Sequence, residues 1–329
     1  MSVHPARQYL DFEKPLLELA ARIDDLRAAH ADGAVTAEKN LPAEIERLEV
    51  RLARVTRLLY RHLTPHQKVQ VARHPQRPQG SDYIAALFTD FVPMEGDRRF
   101  GADKALVGGF ARLKVGSGNA AGGTPVMVLA NDKGKDTPGR LARNFGMPKP
   151  EGYRKAQRLM KLADRLGIPV VSFVDTPGAY PGIDAEERGQ AEAIAACLEV
   201  QLSLNVPFVS VITGEGGSGG ALAMAVADKV LMLENSVYSV ISPEGCAAIL
   251  WKEATKDTIP LAAEALKMTA PDLLGLGIID EVIKEPVGGA HASPELAMRR
   301  VGAAVVGHLG ALRGKDCKAA RRERFLRMG

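Results

Sequence analysis

Residues 207–220 read PFVSVITGEGGSGG, an apolar run that passes directly into five glycines within seven positions. A continuous apolar run is typical of a parallel strand that is covered on both faces. The residues after the glycines, 221–227, are small and apolar. We therefore predict a buried strand over 207–213, a glycine-rich turn over 214–220, and a short helix that begins where the turn ends.

The glycine turn is a candidate anion site. Gly219 and Gly220 would open the helix, where backbone N–H groups have no intrahelical acceptor and the positive end of the helix dipole lies behind them. Such donors suit an oxyanion that develops during a reaction. Each glycine costs backbone entropy, so five together favour close approach of a ligand. A tight turn that needs glycine only for packing is the alternative.

A second turn, DTPGAYPG over 175–182, follows another apolar run at 168–174. Helices are predicted over 151–166 and 186–204, and a strand hairpin over 106–113 and 125–130. This alternation predicts an α/β fold of parallel βαβ units. In such folds ligands bind beyond the carboxyl ends of the strands, which is where both turns lie.

The first part of the chain has a different pattern. Apolar residues at 41, 45, 48, 52, 55 and 59 repeat at spacings of four and three, the a/d pattern of packed helices. Residues 11–63 are therefore predicted to form a helical hairpin with its turn over 30–40. The chain divides into this hairpin (1–64), an α/β domain (65–312) and a basic tail (313–329).

The charge of the chain lies mainly in its tail. The net charge is +4, and residues 313–327 alone carry seven basic and two acidic residues, a net of +5. We interpret the tail as a solvated helix. A nucleic-acid partner is unlikely on this pattern, because no aromatic residues alternate with the basic ones as they do in single-strand channels.

Composition places the chain among soluble globular proteins. It has 329 residues, 46% apolar and 25% charged, and its three cysteines (Cys197, Cys246, Cys317) are far apart. That spacing fits neither a disulfide framework nor a zinc site, so no metal is expected on this chain. The first ten residues contain no apolar signal region, and no run is long enough to span a membrane. We expect a cytoplasmic protein.

Other functions match the same motifs. A nucleotide hydrolase would need GxxxxGK[ST], which the chain lacks. A dinucleotide fingerprint matches 214–219 by letters only. A serine hydrolase is a stronger alternative, because residues 216–220 satisfy GxSxG, with Ser218 as nucleophile and Asp272, Asp280 and His291 downstream. It predicts that Ser218→Ala abolishes activity, whereas the oxyanion interpretation predicts a mild effect.

Seven motifs together resemble a known family, in the same order along residues 11–312. They are RHPQRP (73–78), RNFGMP (143–148), PEGYRKA (150–156), DTPGAYPG (175–182), AEERGQ (185–190), GEGGSGGAL (214–222) and SVISPEGC (239–246). The family is the alpha subunit of the bacterial acetyl-CoA carboxylase carboxyltransferase. The resemblance implies a crotonase-like spiral of ββα units that follows the N-terminal hairpin.

The resemblance also implies a reaction and its partners. The alpha subunit joins a zinc-containing beta subunit in an α₂β₂ assembly. Carboxybiotin on the biotin carboxyl carrier protein, charged by biotin carboxylase, gives its carboxyl group to acetyl-CoA, and malonyl-CoA forms for fatty acid synthesis. Gly219 and Gly220 match the family's alpha-subunit oxyanion pair. A non-catalytic scaffold built on the hairpin is the remaining alternative.

Further site residues are predicted around the two turns. Gly216, Gly217 and Ser218 precede the oxyanion pair. The other turn contributes Asp175, Thr176, Pro177 and Gly178, which would shape the pocket floor. Arg154 and Lys155 are candidates for the phosphates of CoA, although exposed helix charges are the simpler interpretation. No general base is required, since the biotin anion itself can take the proton from the acetyl methyl group.

Overall fold

The computed structural model describes residues 8–31, 41–114 and 123–328. Its strands are β1 (Phe88–Pro93), β2 (Leu106–Leu113), β3 (Thr124–Asn131), β4 (Val170–Thr176), β5 (Phe208–Gly217), β6 (Lys229–Leu233), β7 (Val237–Ser239) and β8 (Glu281–Ile283). They form one sheet in the order β1-β2-β3-β4-β5-β6-β8, with β7 paired to the end of β5. β1–β3 are antiparallel and the remaining pairs are parallel. The predicted strand hairpin and parallel βαβ pattern are therefore confirmed.

Helices cover both faces of the sheet. They are α1 (Lys14–Ala31), α2 (Leu41–Arg61), α3 (Pro65–Ala72), α4 (Gly80–Leu87), α5 (Thr137–Ala142), α6 (Pro150–Leu166), α7 (Ile183–Glu187), α8 (Gln190–Ser203), α9 (Ser218–Ala225), α10 (Pro243–Trp251), α11 (Thr258–Ala265), α12 (Ala270–Gly275), α13 (Pro294–Leu312) and α14 (Cys317–Leu326). None of the helices within the described ranges is both long and apolar enough to cross a lipid bilayer.

The central strands are apolar throughout because each face of the sheet packs on its own core. Along β4, Val170 and Val174 belong to the core shared with α6, α8 and α9. Val171 and Phe173 belong to the core on the opposite face, which includes α4 and α13. Successive strand side chains point to opposite faces, so a strand covered on both sides has no polar alternation.

The N-terminal helices α1 and α2 pack against each other as predicted. Leu16, Ile23 and Leu48 are buried along their seam, and the Tyr60 hydroxyl donates to Glu13 Oε1 at 3.0 Å. Most of the predicted turn, residues 32–40, lies outside the described residues. The division into hairpin, central domain and tail stays a prediction.

Two sequence predictions about helices are wrong. The helix predicted over 186–204 is two helices, α7 and α8, because Gly189 adopts a left-handed φ of 83° between them. The tail does form a helix, α14, but it is not simply solvated. Arg321 is buried and donates to three backbone carbonyls and to Asp228 Oδ2, the last at 2.6 Å. Arg324 pairs with Asp280 at 2.6 Å.

Candidate active site at the start of α9

The candidate oxyanion donors lie at the start of α9. β5 does not end at Thr213 as predicted but continues to Gly217, because residues 215–217 pair with β7. α9 then begins at Ser218, which makes Gly219 and Gly220 its second and third residues. Neither amide can find an acceptor within the helix, and no side chain caps the helix start. Ser218 is exposed, Gly219 is half-buried and Gly220 is buried.

Close packing explains most of the glycines. A Cβ on Gly214 would overlap the Asp175 carboxylate, and one on Gly217 would overlap the Pro177 carbonyl. On Gly216 it would lie 2.8 Å from the Tyr238 ring, and on Gly220 2.6 Å from the carbonyl carbon of Gly178. The alternative, a tight turn that needs glycine for packing, therefore explains four of the five glycines.

Gly219 is the exception. A Cβ there would meet only Ile194, at 3.4 Å and 3.5 Å, which is ordinary contact. Close packing by neighbouring residues therefore does not explain why residue 219 of this turn is glycine. It is also the position where a substitution tests ligand approach without first disturbing the backbone.

The turn after β4 lies directly against the start of α9. Asp175 and Thr176 belong to β4 and are buried, and Pro177 and Gly178 follow. Thr176 Oγ1 donates to the Gly178 carbonyl at 2.7 Å and accepts from the Gly178 N–H at 3.1 Å. Gly178 has a φ of 153°. The sequence prediction that the two turns lie together at one sheet edge is confirmed in this geometry, while their contact with a substrate stays a prediction.

Sequence reasoning missed the charges beneath these turns. Lys133, just after β3, lies 2.7 Å from Asp175 Oδ1 and 2.8 Å from Glu215 Oε2. Arg73 reaches Glu215 Oε1 at 2.6 Å from the other side. Glu215 is therefore the centre of an ion network. The available signal was position: Lys133, Asp175 and Glu215 each come at the carboxyl end of a strand.

The network shifts the proton affinities of its members. Burial acts to raise the pKa of Glu215, but the positive charges of Lys133 and Arg73 outweigh it and lower that pKa to about 2. Burial likewise acts to lower the pKa of Lys133, yet the two carboxylates hold it above its ordinary value. Glu215 and Lys133 are therefore both charged at neutral pH.

A cavity of about 210 Å³ opens beside this network. Arg73, Lys133, Asp175 and Glu215 line one part of it, and Pro177 and Phe145 line another. Phe145 has a left-handed φ of 55°, rare for a bulky residue. The RHPQRP, RNFGMP and DTPGAYPG motifs, separate in sequence, therefore border one cavity.

Arg154 and Lys155 do not lie on an exposed helix face, so that interpretation was wrong. Arg154 is buried and pairs with Asp97 at 2.7 Å and Glu151 at 3.1 Å. The Lys155 side chain is 0% exposed and its ammonium lies 2.9 Å from Glu95 Oε2. Carboxylates already match both cations, and contact of these two residues with the phosphates of CoA stays a prediction.

The structure has one feature that a serine hydrolase requires, an exposed serine on a strained turn, and lacks the matching acid and base. Ser218 is exposed with a φ of 49°, as a nucleophile on a strained turn would be. Asp280, however, pairs with Lys229 at 2.8 Å, and Asp272 accepts from Thr269 at 2.6 Å. His291 is buried against His74, with ring centroids 3.7 Å apart. The acid and base candidates are therefore occupied in other contacts.

Among the described residues, Glu13, His74 and His291 form a buried group with ligand atoms within 4.8 Å of one another. Such a group could hold a metal ion. Both ring nitrogens of His74 are already engaged, because Nδ1 accepts from the Gln76 N–H and Nε2 contacts the Gln8 carbonyl, each at 3.1 Å. A metal would have to displace one of these bonds. The absence of a metal from this chain stays a prediction.

Solved structures similar to this chain share its fold. A transcarboxylase 12S structure with methylmalonyl-coenzyme A bound has a TM-score of 0.54 and 22% identity over 70% of this chain and 41% of its own. The Pseudomonas malonate decarboxylase MdcD-MdcE hetero-dimer has a TM-score of 0.52 and 21% identity over 70% of this chain and 90% of its own. The chain therefore has the crotonase-like α/β fold, as predicted.

Sequence comparison gives the family. The family described as acetyl co-enzyme A carboxylase carboxyltransferase-like matches residues 9–329. Acetyl-coenzyme A carboxylase carboxyl transferase subunit alpha of Zymomonas mobilis is 55% identical over 98% of this chain and 99% of its own length. The protein of the same name from Burkholderia multivorans is 53% identical over 97% and 95%. The chain belongs to this family of transferases, which supports neither the hydrolase nor the scaffold alternative.

Proposed function

We propose that this chain contributes one of two oxyanion sites to a carboxyl transfer from carboxybiotin to acetyl-CoA. Family membership supports the reaction class. The observation that carries the site assignment is the amide of Gly219, in the first turn of a helix beside exposed Ser218 and with only Ile194 near its missing side chain. A ligand oxygen has room to approach a donor that the protein holds fixed.

Carboxybiotin supplies the carboxyl group, and negative charge gathers on its ureido oxygen as that group leaves. The N–H groups of Gly219 and Gly220 donate to this oxygen, and the helix dipole adds to their effect. Because the donors are main-chain groups, they are already oriented when the charge develops. Asp175, Thr176, Pro177 and Gly178 support the donors from below, and Gly216, Gly217 and Ser218 form the approach to them.

The reaction produces a second anion, the thioester enolate, and this chain offers one such donor pair in our assignment. We assign the enolate to a beta subunit that carries the zinc and completes an α₂β₂ assembly. Exposed apolar side chains near the start of α9 are available to such a partner. Val240 is 76% exposed and follows Ser239, which pairs with Gly217, and Ile249 on α10 is 70% exposed.

The remaining partners follow from the same chemistry. A biotin carboxyl carrier protein would bring carboxybiotin to the start of α9, after a biotin carboxylase has loaded it. Acetyl-CoA would enter from the beta-subunit side. These assignments, together with a cytoplasmic location, belong to the proposal.

The test is reconstitution with the beta subunit and an assay of biotin-dependent malonyl-CoA decarboxylation. Gly219→Val places a side chain where the ligand oxygen approaches, so kcat should fall on the order of 10²–10³-fold. Gly310→Val is the matched control, because Gly310 also lies in a helix and has open space around its missing Cβ. It should assemble and retain its rate.

Ser218→Ala separates the alternatives in the same assay. The oxyanion assignment predicts a mild loss, whereas a nucleophilic serine predicts complete loss. A Gly219→Val complex that assembles and keeps full rate would contradict the site assignment.

A further inference from the structure

A chain of charged side chains runs beneath the oxyanion donors, and the proposed reaction makes no direct use of it. Lys133 lies two residues after β3, whereas Asp175 is in β4 and Glu215 is in β5, and the three strands are adjacent in the sheet. The Lys133 ammonium contacts both carboxylates, at 2.7 Å and 2.8 Å. Its side chain is only 19% exposed. Buried charges of this kind are costly unless they are fully matched, so their placement calls for an explanation.

The network lies where the β4–β5 ladder is irregular. Val174 pairs with Ile212, but the next pair is Thr176 with Gly216, so three residues of β5 face the single residue Asp175. Inside this bulge the Glu215 N–H donates to Asp175 Oδ1 at 2.9 Å. The carboxylate therefore takes the place of a strand partner for the looped-out backbone. Bulges beside active sites serve to redirect the chain that follows.

Glu215 is held from both sides. Lys133 contacts Oε2, and Arg73 contacts Oε1 at 2.6 Å while also pairing with Glu244 at 2.6 Å in the first turn of α10. Each carboxylate oxygen of Glu215 thus has its own cation. This fixes the rotation of the side chain and, through it, the backbone at residue 215.

The fixed backbone leads directly to the oxyanion donors. Gly219 comes four positions after Glu215. The backbone around it is tightly packed, because a Cβ on Gly217 would overlap the Pro177 backbone and a Cβ on Gly220 would overlap the Gly178 backbone. A shift at the bulge would therefore move both the helix start and the turn beneath it. Donor orientation matters steeply, since a displacement of about 1 Å in a catalytic group costs roughly 10²-fold in rate.

We propose that Lys133 is a positioning residue of this carboxyltransferase, which bridges Asp175 and Glu215 across the bulge and thereby sets the direction of the Gly219 and Gly220 amides. It acts through the backbone and does not bind the substrate. This inference rests on the oxyanion assignment made above. Lys133 lies outside both glycine-containing turns, 175–182 and 214–220.

The experiment uses the chain assembled with its beta subunit and measures malonyl-CoA decarboxylation. Lys133→Met should lower kcat on the order of 10²-fold and leave KM for malonyl-CoA within about twofold of wild type. Its melting temperature should also fall, because Asp175 and Glu215 are left facing each other. Lys135→Met is the matched control, since Lys135 is two residues away, is 68% exposed, and pairs with Asp82. It should keep both kcat and the melting temperature.

A double variant separates positioning from stability. Lys133→Met with Glu215→Gln restores the charge balance but not the bridge. We expect its melting temperature to recover while kcat stays low, and this variant decides the matter if Lys133→Met alone does not assemble.

Three outcomes would overturn the inference: full kcat in Lys133→Met, recovery of kcat together with stability in the double variant, or a raised KM with unchanged kcat. The last would make Lys133 a binding residue. Wild-type assembly without activity would instead refute the proposed function.

Discussion

The end of β5 and the helix α14 are each held in place by a buried cation, and the two cations have different roles. At α14, Arg321 is 0% exposed and donates to the carbonyls of three residues and to Asp228. At β5, Lys133 links the side chains of neighbouring strands at the border of a cavity. Arg321 fixes α14 to the sheet in a fully buried contact, whereas Lys133 fixes the strand ends beside a cavity that must stay open to a ligand. Loss of the first should cost mainly stability, and loss of the second mainly rate.

The largest effect on stability is expected at Arg321. Arg321→Met leaves Asp228 buried without its cation, which typically costs about 3–5 kcal/mol. Urea unfolding of the chain measures this loss. Arg322→Met is the matched control, because Arg322 is the exposed neighbour on the same helix and such changes usually stay within about 0.5 kcal/mol. If Arg321→Met instead lowered kcat of the assembled enzyme at unchanged stability, the contrast between the two regions would fail.

A smaller effect is expected from alanine at the two oxyanion glycines. Gly220→Ala drives a Cβ into the Gly178 backbone, and such overpacking costs about 1–3 kcal/mol. Gly219→Ala meets only Ile194 and gains helix propensity, so the free energy of unfolding should stay equal or rise by up to about 1 kcal/mol. Thermal unfolding of the two variants compares them directly. Equal losses would show that Gly219 is also required for packing.

The smallest expected effect is the change in stability with pH that comes from the titration of Glu215. Its pKa is lowered to about 2 by Lys133 and Arg73 against the opposing effect of burial. A depressed carboxyl pKa stabilises the folded state above the unfolded value of 4.5, and this share is lost as pH falls toward 2. In Glu215→Gln, the part of the acid-induced loss of stability that comes from Glu215 should be absent. Unfolding measured from pH 6 to pH 3 checks it, and an unchanged acid slope would contradict the network's charge state.

Local signals explain which parts of the fold could be predicted. Apolar runs predicted the central strands. The start of α10 also depends on local residues, because Ser242 Oγ accepts from the Gly245 N–H at 3.1 Å and Pro243 is the first helical residue. The break at Gly189 was missed, because a single glycine in a helical pattern does not show whether it takes a left-handed φ. Periodicity reports burial along one element and says nothing about how elements meet.

The charged partners could not be predicted for the same reason. Lys133 lies 42 residues from Asp175 and 82 from Glu215, and Arg321 lies 93 from Asp228. From composition, the tail was predicted to be solvated and the glycine turn was predicted to be open to a ligand. Both are densely packed, since long-range ion pairs and backbone contacts replace the solvent that a local pattern implies. Only Gly219 keeps the openness that the glycine count suggested.

The irregular pairing of β4 with β5 makes this part of the chain intolerant of changes in length. Side chains alternate between the two faces of a strand, so deletion of Thr213 or Gly214 would turn Glu215 toward the wrong face. The same deletion would rotate the entry into α9 away from its present direction. We therefore expect an insertion or a deletion in this segment to misplace the oxyanion donors even where every remaining side chain is kept.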